Sequence, residues 1–179
     1  MPASVADVRL VRAAAYGDVL AFETLVHRHQ ERAFRVALRM LGNRADAEEA
    51  VQDAFVRAWK SLPSFGARSR FSTWLYRITV NCCLTTLEPR RPQAGELSGA
   101  EPAPGPGPAE RAQASEGMHA LTAAIGSLTP EQRAPLVLRE LEGLSYEEIG
   151  EVLQLTPAAV KGRLHRARLE LVEAVRPWR

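Results

Sequence analysis

Apolar residues recur at three- and four-residue intervals along most of this chain. Phe22, Leu25, Val26, Ala33, Phe34, Ala37, Leu38 and Leu41 keep that rhythm. They predict one long amphipathic helix that stops at Gly42, a residue suited to a left-handed helix end. Asn43 predicts the cap of a second helix, with Asp46, Glu48 and Glu49 in its first turns, where carboxylates favour the helix dipole. Its apolar stripe is Ala50, Val51, Ala54, Phe55, Ala58 and Trp59, and it ends before Pro63. A polar, basic loop over 64–70 leads into a third helix over 71–87, with Phe71, Trp74, Leu75, Ile78 and Cys82 on one face. A shorter helix near residues 4–16 precedes these.

Residues 88–117 break the pattern. Six of the chain's 12 prolines and five of its 12 glycines fall there. Alternating Pro and Gly at 102–108 holds neither helix nor strand, so the segment predicts a flexible linker. Extended, it reaches roughly 100 Å; as a coil it averages nearer 30 Å, in round numbers. Beyond it, helix starts are explicit. Thr129-Pro130-Glu131-Gln132 and Ser145-Tyr146-Glu147-Glu148 both read as capping boxes, and Thr156-Pro157 opens a final helix. A short helix from Ser145, a tight turn, and a basic helix from Thr156 predict a helix-turn-helix, although the turn lacks the glycine often found there.

On a wheel of the final helix, Val160, Leu164, Ala167 and Leu171 share one side. The other side carries Ala158, Lys161, Gly162, His165 and Arg166, the side a recognition helix turns to a major groove. Small residues allow close approach, Lys161 and Arg166 suit phosphates or guanine edges, and Arg163 and Arg168 on the flanks suit phosphate. In the second helix Glu48, Glu49, Gln52 and Asp53 form an acidic strip, unsuited to DNA and suited to a basic protein. Around the third helix Arg68, Arg70, Arg77 and Asn81 mix with Phe71, Trp74 and Tyr76, as in single-strand platforms. Periodicity nevertheless places Trp74 in the core.

The net charge of +2 hides a division. Residues 1–87 hold 12 Lys and Arg against 8 Asp and Glu, a net of +4; residues 118–160 hold 2 against 6, a net of −4. Residues 161–179 hold 6 against 2, a net of +4, so a basic final helix follows an acidic stretch. No run of about 18 apolar residues offers a membrane span, and the N-terminus, with acids and arginines among its apolar positions, is a poor signal peptide. Cys82 and Cys83 are adjacent, which argues against a disulfide scaffold and for a reducing cytosol, and neither has a basic neighbour to activate it. His27 and His29 point to different helix faces, a poor metal pair. No GxSxG, P-loop or HExxH motif occurs, so no catalytic site, metal or cofactor is expected.

Three stretches carry a specific resemblance: AFETLVHRHQERAFRVALRMLGNRADAEEAVQDAFVRAWKSLPSF, FSTWLYRITVN and SLTPEQRAPLVLRELEGLSYEEIGEVLQLTPAAVKGRLHRARLEL. In order and spacing they closely resemble extracytoplasmic-function sigma factors of bacterial RNA polymerase, over about residues 8–87 and 118–175. The resemblance implies an all-α fold: two small helical domains, 1–87 and 118–179, joined by the linker 88–117, the second containing the helix-turn-helix. It implies a cytoplasmic initiation factor that binds core polymerase through its clamp helices and flap, reads promoter DNA, and is held by an anti-sigma factor, without membrane insertion. Asp46, Glu48, Glu49, Gln52, Asp53 and Phe55 match the polymerase-binding motif. The loop from Pro63 to Arg70, with Arg68, Arg70, Arg77 and Asn81, matches the minus-10 reader, whose pocket captures a flipped base. Thr156, Lys161, Gly162, Arg163, His165 and Arg166 match the minus-35 reader. Thr85-Thr86, Ala158-Ala159 and Gly162 depart from the usual residues of the family. A dimeric helix-turn-helix regulator would offer one DNA-facing surface per subunit; this chain offers two different ones.

Overall fold

The computed structural model describes residues 5–66, 69–88 and 116–176. Arg68 and linker residues 89–115 lie outside the described residues. Among those described the secondary structure is helical, with no strand. No helix among them is long and apolar enough to cross a membrane.

The first group of helices starts with α1 (Val5–Ala15) and α2 (Val19–Leu41). Asp18 caps α2 by accepting from the Ala21 N–H at 3.0 Å, an earlier start than the apolar rhythm alone suggests. Gly42 ends it at φ 71°, donating its N–H to the Leu38 carbonyl at 2.8 Å. Asn43 starts α3 (Arg44–Ser61) by accepting from Ala45 and Asp46 N–H groups at 2.8 and 3.4 Å. A 3₁₀ turn, Leu62–Ser64, then leads through the loop to α4 (Phe71–Leu87), which has the expected bounds. Leu25, Met40 and Leu75 are fully buried among these helices, each contributing about 1.5–3 kcal/mol of burial.

The second group contains one helix the sequence pattern did not single out, α5 (Glu116–Ser127), which begins inside the span expected to be linker. It is followed by α6 (Pro130–Glu140), α7 (Tyr146–Leu153) and α8 (Pro157–Val175). Their starts rest on the anticipated residues. The Thr129 N–H donates to Gln132 Oε1 at 3.1 Å. The Ser145 N–H donates to Glu148 Oε2 at 2.9 Å while the Glu148 N–H donates to Ser145 Oγ at 3.1 Å. The Ala159 N–H donates to Thr156 Oγ1 at 3.2 Å. At the α7–α8 turn Gln154 takes the left-handed conformation, φ 56°. The required glycine sits inside α7 instead: a Cβ on Gly150 would lie 2.6 Å from the Leu155 carbonyl oxygen.

The two groups pack on each other, α6 and α7 against α2 and α4. Arg133 of α6 is buried and donates to the Met40 carbonyl at the end of α2 at 2.5 Å, to the Leu128 carbonyl at 2.9 Å, and to the Gly126 carbonyl. This packing explains a departure on α4. Phe71, Trp74, Leu75 and Cys82 are buried as expected, but so are Thr73, Tyr76, Thr79, Val80 and Cys83, because helices cover both of its sides.

Candidate DNA and polymerase interfaces

Helix α8 is divided cleanly. Val160, Leu164 and Ala167 are buried against α5, α6 and α7, and Leu171 is half-buried. Lys161, His165 and Arg166 are exposed on the other side, with Gly162 and Arg163 half-exposed. No carboxylate among the described residues pairs with these four basic side chains. Gly162 has open space where a Cβ would stand, so nothing inside the fold requires a glycine there. Thr156 is exposed, and its hydroxyl serves first as the α8 cap. Arg168, read from the wheel as a flanking residue suited to phosphate, is exposed and donates to Glu140 at 2.8 Å, which braces α8 on α6.

The loop and helix matched to the minus-10 reader are arranged differently. Phe65 packs on Trp74, ring centroids 4.7 Å apart with the planes tilted by 39°, and meets Phe71 edge-on at 6.4 Å. Trp74 is therefore core. Arg77 is half-exposed and Asn81 exposed, one turn apart on α4. Arg70, just before α4, stands 3.5 Å from Glu148 of α7. Tyr76 donates to Glu142, in the α6–α7 loop, at 2.5 Å. Burial, then that bond, pushes the Tyr76 phenol well above its ordinary pKa.

Between α2 and α3 lies an apolar groove of about 860 Å³. Phe22, Phe55 and Trp59 make its floor; Phe22 meets Trp59 at 4.9 Å and Phe55 at 6.4 Å. The acidic strip splits here. Glu48 and Gln52 rim the groove, while Glu49 and Asp53 are exposed beside it and do not line it. Asp46 is half-buried near the start of α3, and Phe55, although buried, lines the groove. The sequence reading missed Val56, which is 46% exposed on the rim. Its signal was an apolar residue four positions after Gln52 on an otherwise polar face.

The two thiols and His29 are held in the packing of the first helical group. Burial pushes the Cys83 thiol up to about 12 and raises Cys82 as well, so neither is a ready thiolate. His29 is buried, bonded to Asp7 at 3.0 Å and packed 5.1 Å from the Phe71 ring; burial lowers its pKa, against the raising effect of Asp7. No cluster of three potential metal ligands occurs among the described residues.

Comparison with known proteins gives this arrangement a family. Residues 25–91 match Sigma-70 region 2, and residues 118–171 match Sigma-70, region 4. The RNA polymerase sigma-H factor of Pseudomonas aeruginosa is 33% identical over 192 residues, 96% of this chain and 94% of that protein. The ECF RNA polymerase sigma factor SigE of Mycolicibacterium smegmatis is 39% identical over 164 residues, 88% of this chain but 63% of that longer protein. Among solved structures, CnrH in complex with the cytosolic domain of CnrY aligns with TM-score 0.72 and 30% identity, covering 96% of this chain and 98% of that one. The sigma factor RpoE of Bartonella quintana, solved with the anti-sigma factor NepR, shares the fold at TM-score 0.71 and 24% identity, over 88% and 98% of the two chains. With both regions matched in order and relatives aligned over nearly their whole length, the chain belongs to the extracytoplasmic-function sigma factors of the sigma-70 family, which direct promoter-specific initiation by RNA polymerase.

Proposed function

We propose a division of labour along the chain. Residues 1–87 bind core polymerase and the minus-10 element, 118–179 read the minus-35 element, and 88–117 span between them. Two elements about two helical turns apart lie roughly 70 Å from each other, within reach of the linker only when it is stretched. The observation that carries this reading is the one-sidedness of α8: Val160, Leu164 and Ala167 inward, Lys161, His165 and Arg166 outward. Lys161, Gly162, His165 and Arg166 meet bases, while Arg163 and the Thr156 end of the helix meet phosphate. Arg70, Arg77 and Asn81 face the minus-10 strand, together with Arg68. The α2–α3 groove, with Glu48 and Gln52 on its rim, takes an amphipathic, basic helix of the polymerase clamp; Asp46, Glu49 and Asp53 add long-range attraction.

The chain lends specificity while polymerase does the chemistry, so it works in the cytoplasm as a non-enzymatic factor without metal or cofactor. CnrH, its relative, is bound by a cytosolic domain of another protein; by extension an anti-sigma factor holds this chain and covers its polymerase-binding faces. The test is reconstitution with core polymerase on genomic DNA, followed by sequencing of run-off transcripts. New start sites preceded by two shared motifs are expected. Tight duplex binding by the chain alone, with no transcripts, would overturn the reading in favour of a repressor.

A further inference from the structure

The contact between the two helical groups has an unusual chemistry. On one side stand basic and phenolic groups: Arg35 of α2, Tyr76 of α4 and Arg70 at the start of α4. On the other stand two carboxylates, Glu142 and Glu148. Glu142 is 4% exposed at its side chain; its Oε2 accepts from the Tyr76 hydroxyl, and Arg35, which also donates to the exposed Glu31 of its own helix at 3.0 Å, is 3.8 Å from its Oε1. That Oε1 is buried and accepts no hydrogen bond. Arg32, also on α2, faces the same phenol. Glu148 sits 3.5 Å from Arg70, whose side chain is 40% exposed.

A buried carboxylate with one oxygen unmet is costly to hold. An apolar side chain there would orphan the Tyr76 hydroxyl, but a neutral amide could accept the same bond without burying a charge, so packing alone does not call for a carboxylate. Arginine and tyrosine side chains are, however, common ligands of nucleic-acid phosphates. We propose that Arg35, Tyr76 and Arg70 form a phosphate-binding strip for single-stranded DNA, and that Glu142 and Glu148 occupy it as phosphate mimics while the two helical groups are closed. The strip extends the minus-10 surface proposed above onto α2, and rests on that reading. DNA and the carboxylates then compete for the same three side chains. The contact between the groups thereby shields the strip until polymerase separates them.

The experiment uses the full-length chain and a labelled single-stranded deoxyoligonucleotide of mixed sequence. Binding is measured against salt, and the spread of the chain by small-angle X-ray scattering. Glu142→Gln with Glu148→Gln is expected to expand the chain and tighten DNA binding about three- to tenfold, with a salt slope steeper by about one to two units. Adding Arg35→Ala and Arg70→Ala is expected to abolish that gain. Glu148→Gln alone changes only a partly exposed residue and carries a smaller gain if the double variant fails to fold. An expanded chain with unchanged DNA affinity overturns the proposal, as does a gain that survives loss of both arginines. So does tighter binding to an acidic peptide than to DNA. Run-off is read on the same preparations. Wild-type failure there counts against the division of labour, whereas intact run-off with unchanged oligonucleotide affinity in the double variant removes only the mimicry.

Discussion

The two helices proposed to meet DNA, α4 and α8, are treated by the fold in opposite ways. Helix α8 gives one side to the core and leaves the other open, with Lys161, His165 and Arg166 in solvent. Helix α4 is packed on both sides, and the polar groups beside it are already engaged, Tyr76 by Glu142 and Arg70 by Glu148. The first surface can meet a duplex as it stands. The second is open only in part: Arg77 and Asn81 reach solvent, while Tyr76 and Arg70 are held by carboxylates of the other helical group. A helix that ends its own small domain can specialise; a helix at the junction of two domains serves packing and recognition in turn.

The largest effect that would sharpen the contrast is expected at Gly150. Gly150→Ala forces a Cβ against the Leu155 carbonyl, a backbone atom at 2.6 Å that cannot swing away. The turn that sets α8 on α7 must distort, at a cost of roughly 2–3 kcal/mol. Urea melts should show that loss, and duplex minus-35 binding should fall with it. A variant with unchanged stability and binding would show that α8 owes its presentation to something other than this turn.

Next come the exposed residues of α8. Lys161→Ala and Arg166→Ala should each weaken minus-35 duplex binding by about tenfold or more. Core-polymerase affinity should stay as it was, because neither side chain touches the fold's interior. Parallel loss of both activities would break the contrast, since it would make α8 structural like α4.

The two helices also differ in how far sequence alone reveals them. Every start of α6, α7 and α8 follows from a cap within three residues of it: Gln132 on Thr129, Glu148 on Ser145, Ala159 on Thr156. The open side of α8 follows from its 3.6-residue period. For α4 the bounds follow in the same local way, and its buried Trp74 does too. Its second buried side does not, because the groups that cover it come from far along the chain. Glu142 lies 66 positions from Tyr76, and Arg133 lies 93 from Met40. No periodicity within one helix encodes such partners. The glycine of the helix-turn-helix was hidden for a related reason: its need arises from a carbonyl five residues on, across the turn, and not from its own backbone angle.

A smaller effect concerns the floor under α4. His29 packs on Phe71 with its pKa held below 6.5, chiefly by burial. The unfolded chain therefore binds the proton more readily than the folded one. Stability present near neutrality should decline as pH falls from the unfolded value of 6.5 through the lowered folded value, and then level off for this group. Thermal melts between about pH 8 and pH 5 should show the decline, and His29→Gln should flatten it. A decline of the same size in the variant would place its source in other residues.

The smallest effect tests whether α8 is as open as it looks. The wheel sets Arg168 on the flank suited to phosphate, but its guanidinium donates to Glu140 at 2.8 Å. Both partners are about half-exposed, which limits the pair to about 0–1 kcal/mol. The Glu140 bond also raises the Arg168 pKa, so the charge itself is never in question. Arg168→Ala should cost little stability and leave the salt dependence of duplex binding unchanged, because its charge is already matched within the protein. A phosphate contact would instead lower the slope of log affinity against log salt by about one unit. That drop would mean DNA outcompetes Glu140 for the guanidinium, and α8 would then share, at its edge, the exchange of carboxylate for phosphate proposed for α4.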